Sequence, residues 1–128
     1  MKISFDSIKP VYLQIAEGIE DDIIFGKLKE GDGCYSQLVI AKELNVNPAT
    51  AAKGINMLVQ KGILEKQRGL SMVVAKGSKD ILIKERKESG LIELIKQLTN
   101  EADMLKLSEQ ELIDLIKSNY RGRGKENE

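Results

Sequence analysis

The chain has 128 residues, with 20 lysines and arginines against 20 aspartates and glutamates, no histidine, no tryptophan and one cysteine. The absence of histidine excludes Ser-His-Asp and Cys-His catalysis and Cys/His zinc sites, and a lone cysteine excludes a disulfide within the chain. No phosphate loop, signal peptide or bilayer-length apolar run is recognisable, so the expectation is a soluble cytoplasmic protein, not an enzyme, with no cofactor and no membrane partner.

Pro10 opens the first predicted helix, in which Tyr12, Ile15, Ala16, Ile19 and Ile23 form an apolar stripe. Asp21 and Asp22 fall on its surface and read as solvated carboxylates. Gly26 ends it, and Lys29-Glu30-Gly31-Asp32-Gly33 reads as a turn. Cys34 reads as a small apolar residue. Ser36 can cap a short second helix through Leu44 that buries Leu38, Ala41 and Leu44 or close neighbours, and Asn45 suits the tight turn that follows.

Val46 is an apolar residue just before the next cap. Asn47 is a good N-cap and Pro48 fits the first turn, so a third helix starts here. Ala51, Ile55, Leu58 and Val59 give it one buried face, and Gly62 stops it after Lys61. Ile63 to Gln67, the turn Arg68-Gly69 and Leu70 to Val74 then read as strand, turn, strand. A short helix, a tight turn, a capped helix and a hairpin outline a winged helix-turn-helix, of mainly α (α+β) class.

Charge is unevenly placed along this outline. Residues 47 to 77 hold five basic side chains against one acidic, a net of +4, whereas residues 1 to 46 hold five against eight, a net of −3. Positive charge therefore gathers on the helix and hairpin that would face phosphates.

The last third predicts a C-terminal helical hairpin. Leu91, Ile95, Leu98, Ala102 and Leu105 recur at spacings of four, three, four and three, and Leu94 widens the stripe. Ser108-Glu109-Gln110-Glu111 is a capping box, after which Leu112, Leu115 and Ile116 continue an apolar face. The stripe could fold back on the first domain or meet a second copy; a chain of this size has little core with which to cover it, which favours a homodimer. Arg121-Gly122-Arg123-Gly124-Lys125 reads as part of a disordered tail. The expected domains are 1–77 (DNA-binding), 78–118 (helical dimerisation extension) and 119–128 (tail).

Several segments together resemble the GntR family of bacterial transcription regulators. They are Pro10-Val11-Tyr12-Leu13-Gln14-Ile15, Ile24-Phe25-Gly26-Lys27-Leu28-Lys29-Glu30-Gly31-Asp32, Asn47-Pro48-Ala49-Thr50 with Lys53, and Leu58-Val59-Gln60-Lys61-Gly62-Ile63-Leu64-Glu65. The Asn-Pro-x-Thr opening resembles the short YtrA-like branch. The resemblance implies a sequence-specific transcriptional repressor that binds double-stranded DNA at an operator as a homodimer. It leaves open a small-molecule effector. It implies DNA contacts from Ser36, Gln37, Asn47, Pro48, Ala49, Thr50, Lys53, Lys66, Gln67, Arg68 and Gly69, and a dimer seam through Leu91, Leu94, Ile95, Leu98, Ala102, Leu105, Leu112, Leu115 and Ile116.

The chain departs from the family pattern at three places. Cys34-Tyr35-Ser36-Gln37-Leu38 replaces Leu-Pro-Ser followed by Glu-Arg or Val-Arg, so Leu38 stands where many relatives carry arginine. Ala52 stands at a second such position, and the wing reads Gln67-Arg68-Gly69-Leu70-Ser71-Met72-Val73-Val74. Arginine is the commonest bidentate reader of guanine, so two readers are missing. An alternative reading follows: a winged-helix protein-interaction module without sequence-specific DNA binding. The missing arginines support it and the local +4 charge opposes it.

Overall fold

The computed structural model describes residues 1–67, 69 and 71–126. They form two compact units, which divide between Glu85 and Arg86.

The first unit holds helices α1 (Val11–Phe25), α2 (Gln37–Leu44) and α3 (Pro48–Gln60), strands β1 (Leu64–Lys66) and β2 (Met72–Val74), and helix α4 (Ser78–Glu85). Helix α3 packs on both α1 and α2, and α4 packs back on α1. The shared core takes Ile15, Ile19 and Ile23 from α1, Ile40 and Ala41 from α2, Ala51, Ile55 and Leu58 from α3, and Ile63, Leu64, Val74 and Leu82 beyond. Burial of these branched side chains is the main stabilising term.

The predicted starts and stops of the helices hold. Ser36 Oγ accepts from the Val39 amide at 3.1 Å and Asn47 Oδ1 accepts from the Ala49 amide at 2.8 Å, capping α2 and α3. Asn45 takes the left-handed conformation (φ 54°), and the Val46 amide reaches back to the Ala41 carbonyl at 3.0 Å. Gly62 (φ 77°) repeats this closure after α3, with the Ile63 amide on the Leu58 carbonyl at 2.9 Å.

One core expectation is corrected. Leu38 is 68% exposed and Ile40 is buried in its place. Two residues apart on a helix are about 200° apart, so only one of the pair can face inward, and Ala41 fixes Ile40 as that one.

The strands are shorter than the sequence suggests and pair antiparallel, with Leu64 opposite Val74 and Lys66 opposite Met72. A third, strand-like edge comes from the segment read as a turn. The Gly31 amide donates to the Val74 carbonyl (2.8 Å), the Val74 amide to the Asp32 carbonyl (2.9 Å), and the Cys34 amide to the Met72 carbonyl (2.8 Å). This anchors the base of the wing to the helical core.

The first unit also extends past the expected boundary at 77. Leu82 is fully buried, and the buried Ser78 hydroxyl donates to the Ile63 carbonyl at 2.7 Å. Residues 78 to 85 therefore belong to the winged unit.

The second unit contains a π-turn (Arg86–Gly90), α5 (Leu91–Met104) and α6 (Glu109–Glu126). Lys106 is left-handed (φ 59°), and the Leu107 amide closes on the Ala102 carbonyl at 2.9 Å. The capping box forms: the Ser108 amide donates to Glu111 Oε1 and the Glu111 amide to Ser108 Oγ, each at 3.1 Å. Helix α6 runs on to Glu126, through most of the stretch expected to be a disordered tail. The box nucleates the helix and no proline follows to end it. Within α5 and α6 only Ala102 is buried among the described residues.

Gly54 sets the distance between α1 and α3. A Cβ there would lie 2.7 Å from the Tyr12 carbonyl oxygen and 3.1 Å from Ile15 Cγ2. Alanine normally improves an exposed helix position over glycine by about 1 kcal/mol. Here Gly54→Ala should instead destabilise by about 1–3 kcal/mol, because backbone must move to admit the methyl. Urea unfolding decides it: a raised midpoint would show that the helices are not in close contact here.

Cys34 is buried, and that burial pushes its thiol up from 9.0 to about 11, with the Tyr35 amide pulling partly the other way and the Asp22 charge adding to the rise. A rise of that size leaves about 100-fold less thiolate at pH 8. Iodoacetamide at pH 8 should alkylate the folded protein at least that much more slowly than the urea-unfolded chain. Equal rates would mean that the side chain is accessible.

Candidate nucleic-acid interface

The face of α3 opposite its buried side is built from short and polar residues. Ala51, Gly54, Ile55 and Leu58 turn inward. Asn47, Pro48, Ala49, Lys53, Asn56 and Gln60 are exposed, and Thr50 is half-buried. The cap at Asn47 and the proline at the first position fix where this face begins.

Lys53 is held by a neighbour that the sequence assigned to the core alone. Its Nζ lies 4.0 Å from the centroid of the Tyr12 ring, a cation–π contact. The half-buried ring thus serves the core with one side and carries an exposed ammonium with the other.

A cleft of about 200 Å³ opens between the start of α2, the middle of α3 and the base of the wing. It brings together Ser36, Gln37 and Lys66, three of the residues singled out in the sequence, with Tyr35, Asn56 and Ser71, which were not. Asn56 could have been found by spacing, since it lies seven residues, or two turns, beyond Ala49. Ser71 and Tyr35 carry no local signal. Gln67 and Gly69 are exposed on the wing, and Gly69 is left-handed (φ 77°). Arg68 lies outside the described residues.

Tyr35 ties this region to α1. Its hydroxyl donates to Asp22 Oδ2 at 2.6 Å, so Asp22 is not the simply solvated carboxylate expected from the sequence. Burial and this hydrogen bond push the phenol up to about 12.

The count of +4 overstates the charge offered outward. Lys61 Nζ sits 3.0 Å from Glu20 Oε2 and 2.8 Å from Glu85 Oε1, and Glu20 is buried. Burial pulls the Lys61 ammonium down, but its hydrogen bonds to Glu85 and Glu20 outweigh that and hold it above its ordinary value. Lys61 therefore clamps the end of α3 to α1 and α4. The other described cations between residues 47 and 77 are Lys53, Lys66 and Lys76, all exposed.

No family model matches the chain. Individual proteins do. The HTH-type transcriptional regulator YhcF of Bacillus subtilis is 29% identical over 122 residues, covering 95% of this chain and 99% of that protein. The mannosyl-D-glycerate transport/metabolism system repressor MngR of Escherichia coli is 36% identical over 61 residues, 48% of this chain but 25% of MngR. Among solved structures, a GntR family transcriptional regulator from Listeria monocytogenes superposes with a TM-score of 0.72 at 25% identity, covering 89% of this chain and 98% of that one. YtrA from Sulfolobus acidocaldarius, a GntR-family transcription factor, gives 0.56 at 28%, covering 95% and 97%. The AraR DNA-binding domain in complex with an operator gives 0.52 at 26%, covering 59% of this chain and 93% of that one. No helix among the described residues is long and apolar enough to cross a membrane. Over nearly its whole length the chain is similar to YhcF in sequence and to GntR-family transcription regulators of known structure in fold, YtrA among them.

Proposed function

We propose that the chain is a cytoplasmic repressor that binds an operator as a homodimer through its winged unit and assembles through its second helical unit. The observation that carries the DNA-binding half is the cleft at which α2, α3 and the wing converge, with Ser36, Gln37 and Lys66 on its walls and Lys53 on the adjoining face. Ser36, Gln37, Asn47, Thr50, Lys53, Lys66 and Arg68 are assigned to the DNA backbone, with Pro48, Ala49, Gln67 and Gly69 alongside them. Such contacts set register but do not read sequence. The AraR domain, solved on an operator, supports the assignment, and MngR supports repression. The chain has no catalytic role in this reading.

The exposed stripe of the second unit supports the dimer. Leu91, Leu94, Ile95, Leu98 and Leu105 of α5 and its end are exposed, as are Leu115 and Ile116 of α6, with Leu98 still 43% exposed. Ala102 is buried and Leu112 half-buried within the unit. Exposed aliphatic side chains at heptad-like spacing are costly in water and are covered by a second copy in this proposal.

A second reading, a winged module that docks protein, draws on Leu38 and Val39, which are both exposed on α2. The two readings differ in their dependence on salt. DNA binding through phosphates weakens steeply as salt rises, because condensed counterions are released. Lys53→Ala and Lys66→Ala should each weaken binding to all duplexes and lower the salt slope by about one unit for each phosphate left without its lysine. Mobility shifts at several salt concentrations measure this; unchanged affinity in both variants would remove the surface from consideration.

Ile95→Glu places a charge in the proposed seam, where burial without a partner costs several kcal/mol. The variant should keep a folded winged unit, sediment as a monomer and bind DNA weakly, since two tethered modules bind far more tightly than one. A dimer that persists at micromolar concentration would put the seam elsewhere, and complete unfolding would make the stripe part of the first unit's core.

A further inference from the structure

The outward strip of α3 carries a polar side chain to which backbone contacts assign no task. At about 100° per residue, the line opposite the buried face runs through Ala49, Lys53, Asn56 and Gln60, all exposed. Among the described residues, no hydrogen bond engages the Asn56 amide, and it lines the cleft beside Gln37 and Lys66. We propose that Asn56 determines sequence specificity by reading the major-groove edge of an adenine, an inference that rests on the operator-binding reading above.

Three observations converge on this residue. First, its chemistry: an amide presents one donor and one acceptor in a plane, which matches adenine N6 and N7 and adds no charge with which to hold a phosphate. Second, its approach: Ala49 on the same strip and Ala52 beside it in the cleft are the shortest side chains available short of glycine. They let the helix sit close to the groove floor, so a side chain as short as asparagine can reach a base edge two turns into the helix. Third, its flanks: Lys53 on one side and Lys66 with Ser36 on the other can hold phosphates of the strand that Asn56 would read between them.

Gln60 carries the same chemistry but stands in a different field. It adjoins Lys61, whose ammonium is engaged by Glu20 and Glu85. With Lys61 so engaged, Lys53 and Lys66 are the cations left to flank Asn56.

The test uses the full chain. Duplexes are selected from a randomised pool with the wild type, and the selected duplex is remade with each base pair replaced in turn. Affinities are measured by fluorescence anisotropy at several salt concentrations. The wild type should lose roughly 10- to 100-fold on replacement of one A·T pair. Asn56→Ala should lose discrimination at that pair alone, with the remaining profile, the salt slope and the melting temperature kept. An unchanged profile overturns the inference. So does an equal loss on every duplex with a reduced salt slope, which would make Asn56 a phosphate contact. If the wild type enriches no sequence, the operator-binding reading fails and the inference falls with it.

Discussion

Helix α3 can face solvent as it does because nothing stands between it and α1 at Gly54. The missing Cβ lets the Tyr12 carbonyl and the Ile15 side chain come within contact distance of the α3 backbone. That approach does two things at once. It buries Ala51, Ile55 and Leu58 against a layer that α1 has already filled with Ile15 and Ile19. It also sets the Tyr12 ring beneath Lys53, so the core and the charged surface share one aromatic side chain. A larger residue at 54 would separate the helices and disturb both together. Interiors are close-packed and transmit such shifts rather than absorbing them.

The ends of α3 are fixed as firmly as its middle. Asn45 and Gly62 bracket it with left-handed closures, and Asn47 caps its first turn. At its far end Lys61 ties Glu20 of α1 to Glu85 of α4, while Ser78 holds the Ile63 carbonyl at the base of the wing. The wing itself hangs on the backbone of residues 31 to 34, whose amides and carbonyls pair with β2. The backbone that frames the cleft is therefore fixed at several points.

Much of this was legible in the sequence, because punctuation residues act locally. Pro10, Gly26, Ser36, Asn45, Asn47, Pro48 and Gly62 each fix a helix end through backbone geometry or a cap within a few residues, so the helix-turn-helix and the hairpin could be placed without tertiary information. What escaped depends on partners distant in the chain. Lys61 meets Glu20 across 41 residues, and Gly33 pairs with Val73 by backbone alone, which leaves no side-chain pattern to read. Leu38 misled because an eight-residue helix has too few turns for periodicity to choose between neighbouring apolar positions. Ser36, Gln37 and Lys66, which line the cleft, were singled out by resemblance. Asn56, Ser71 and Tyr35 were not, since the cleft that unites them exists only once three separate segments have folded together.

The surface that results differs in kind from one built on arginine forks. Arginine reads guanine from a distance with a long, charged, bidentate group. Leu38 and Ala52 stand where this chain would otherwise carry such groups, and the exposed polar groups of α3 are a lysine and amides. In the proposed operator complex amides would contribute no counterion release, so any preference they confer would come from geometry, with lysines setting the register. In the proposed dimer, two modules held together would gain effective concentration without any new contact to the bases. The second unit, with almost all of its apolar stripe exposed and its turn locked by Lys106 and the Ser108–Glu111 box, has the composition such an assembly element requires.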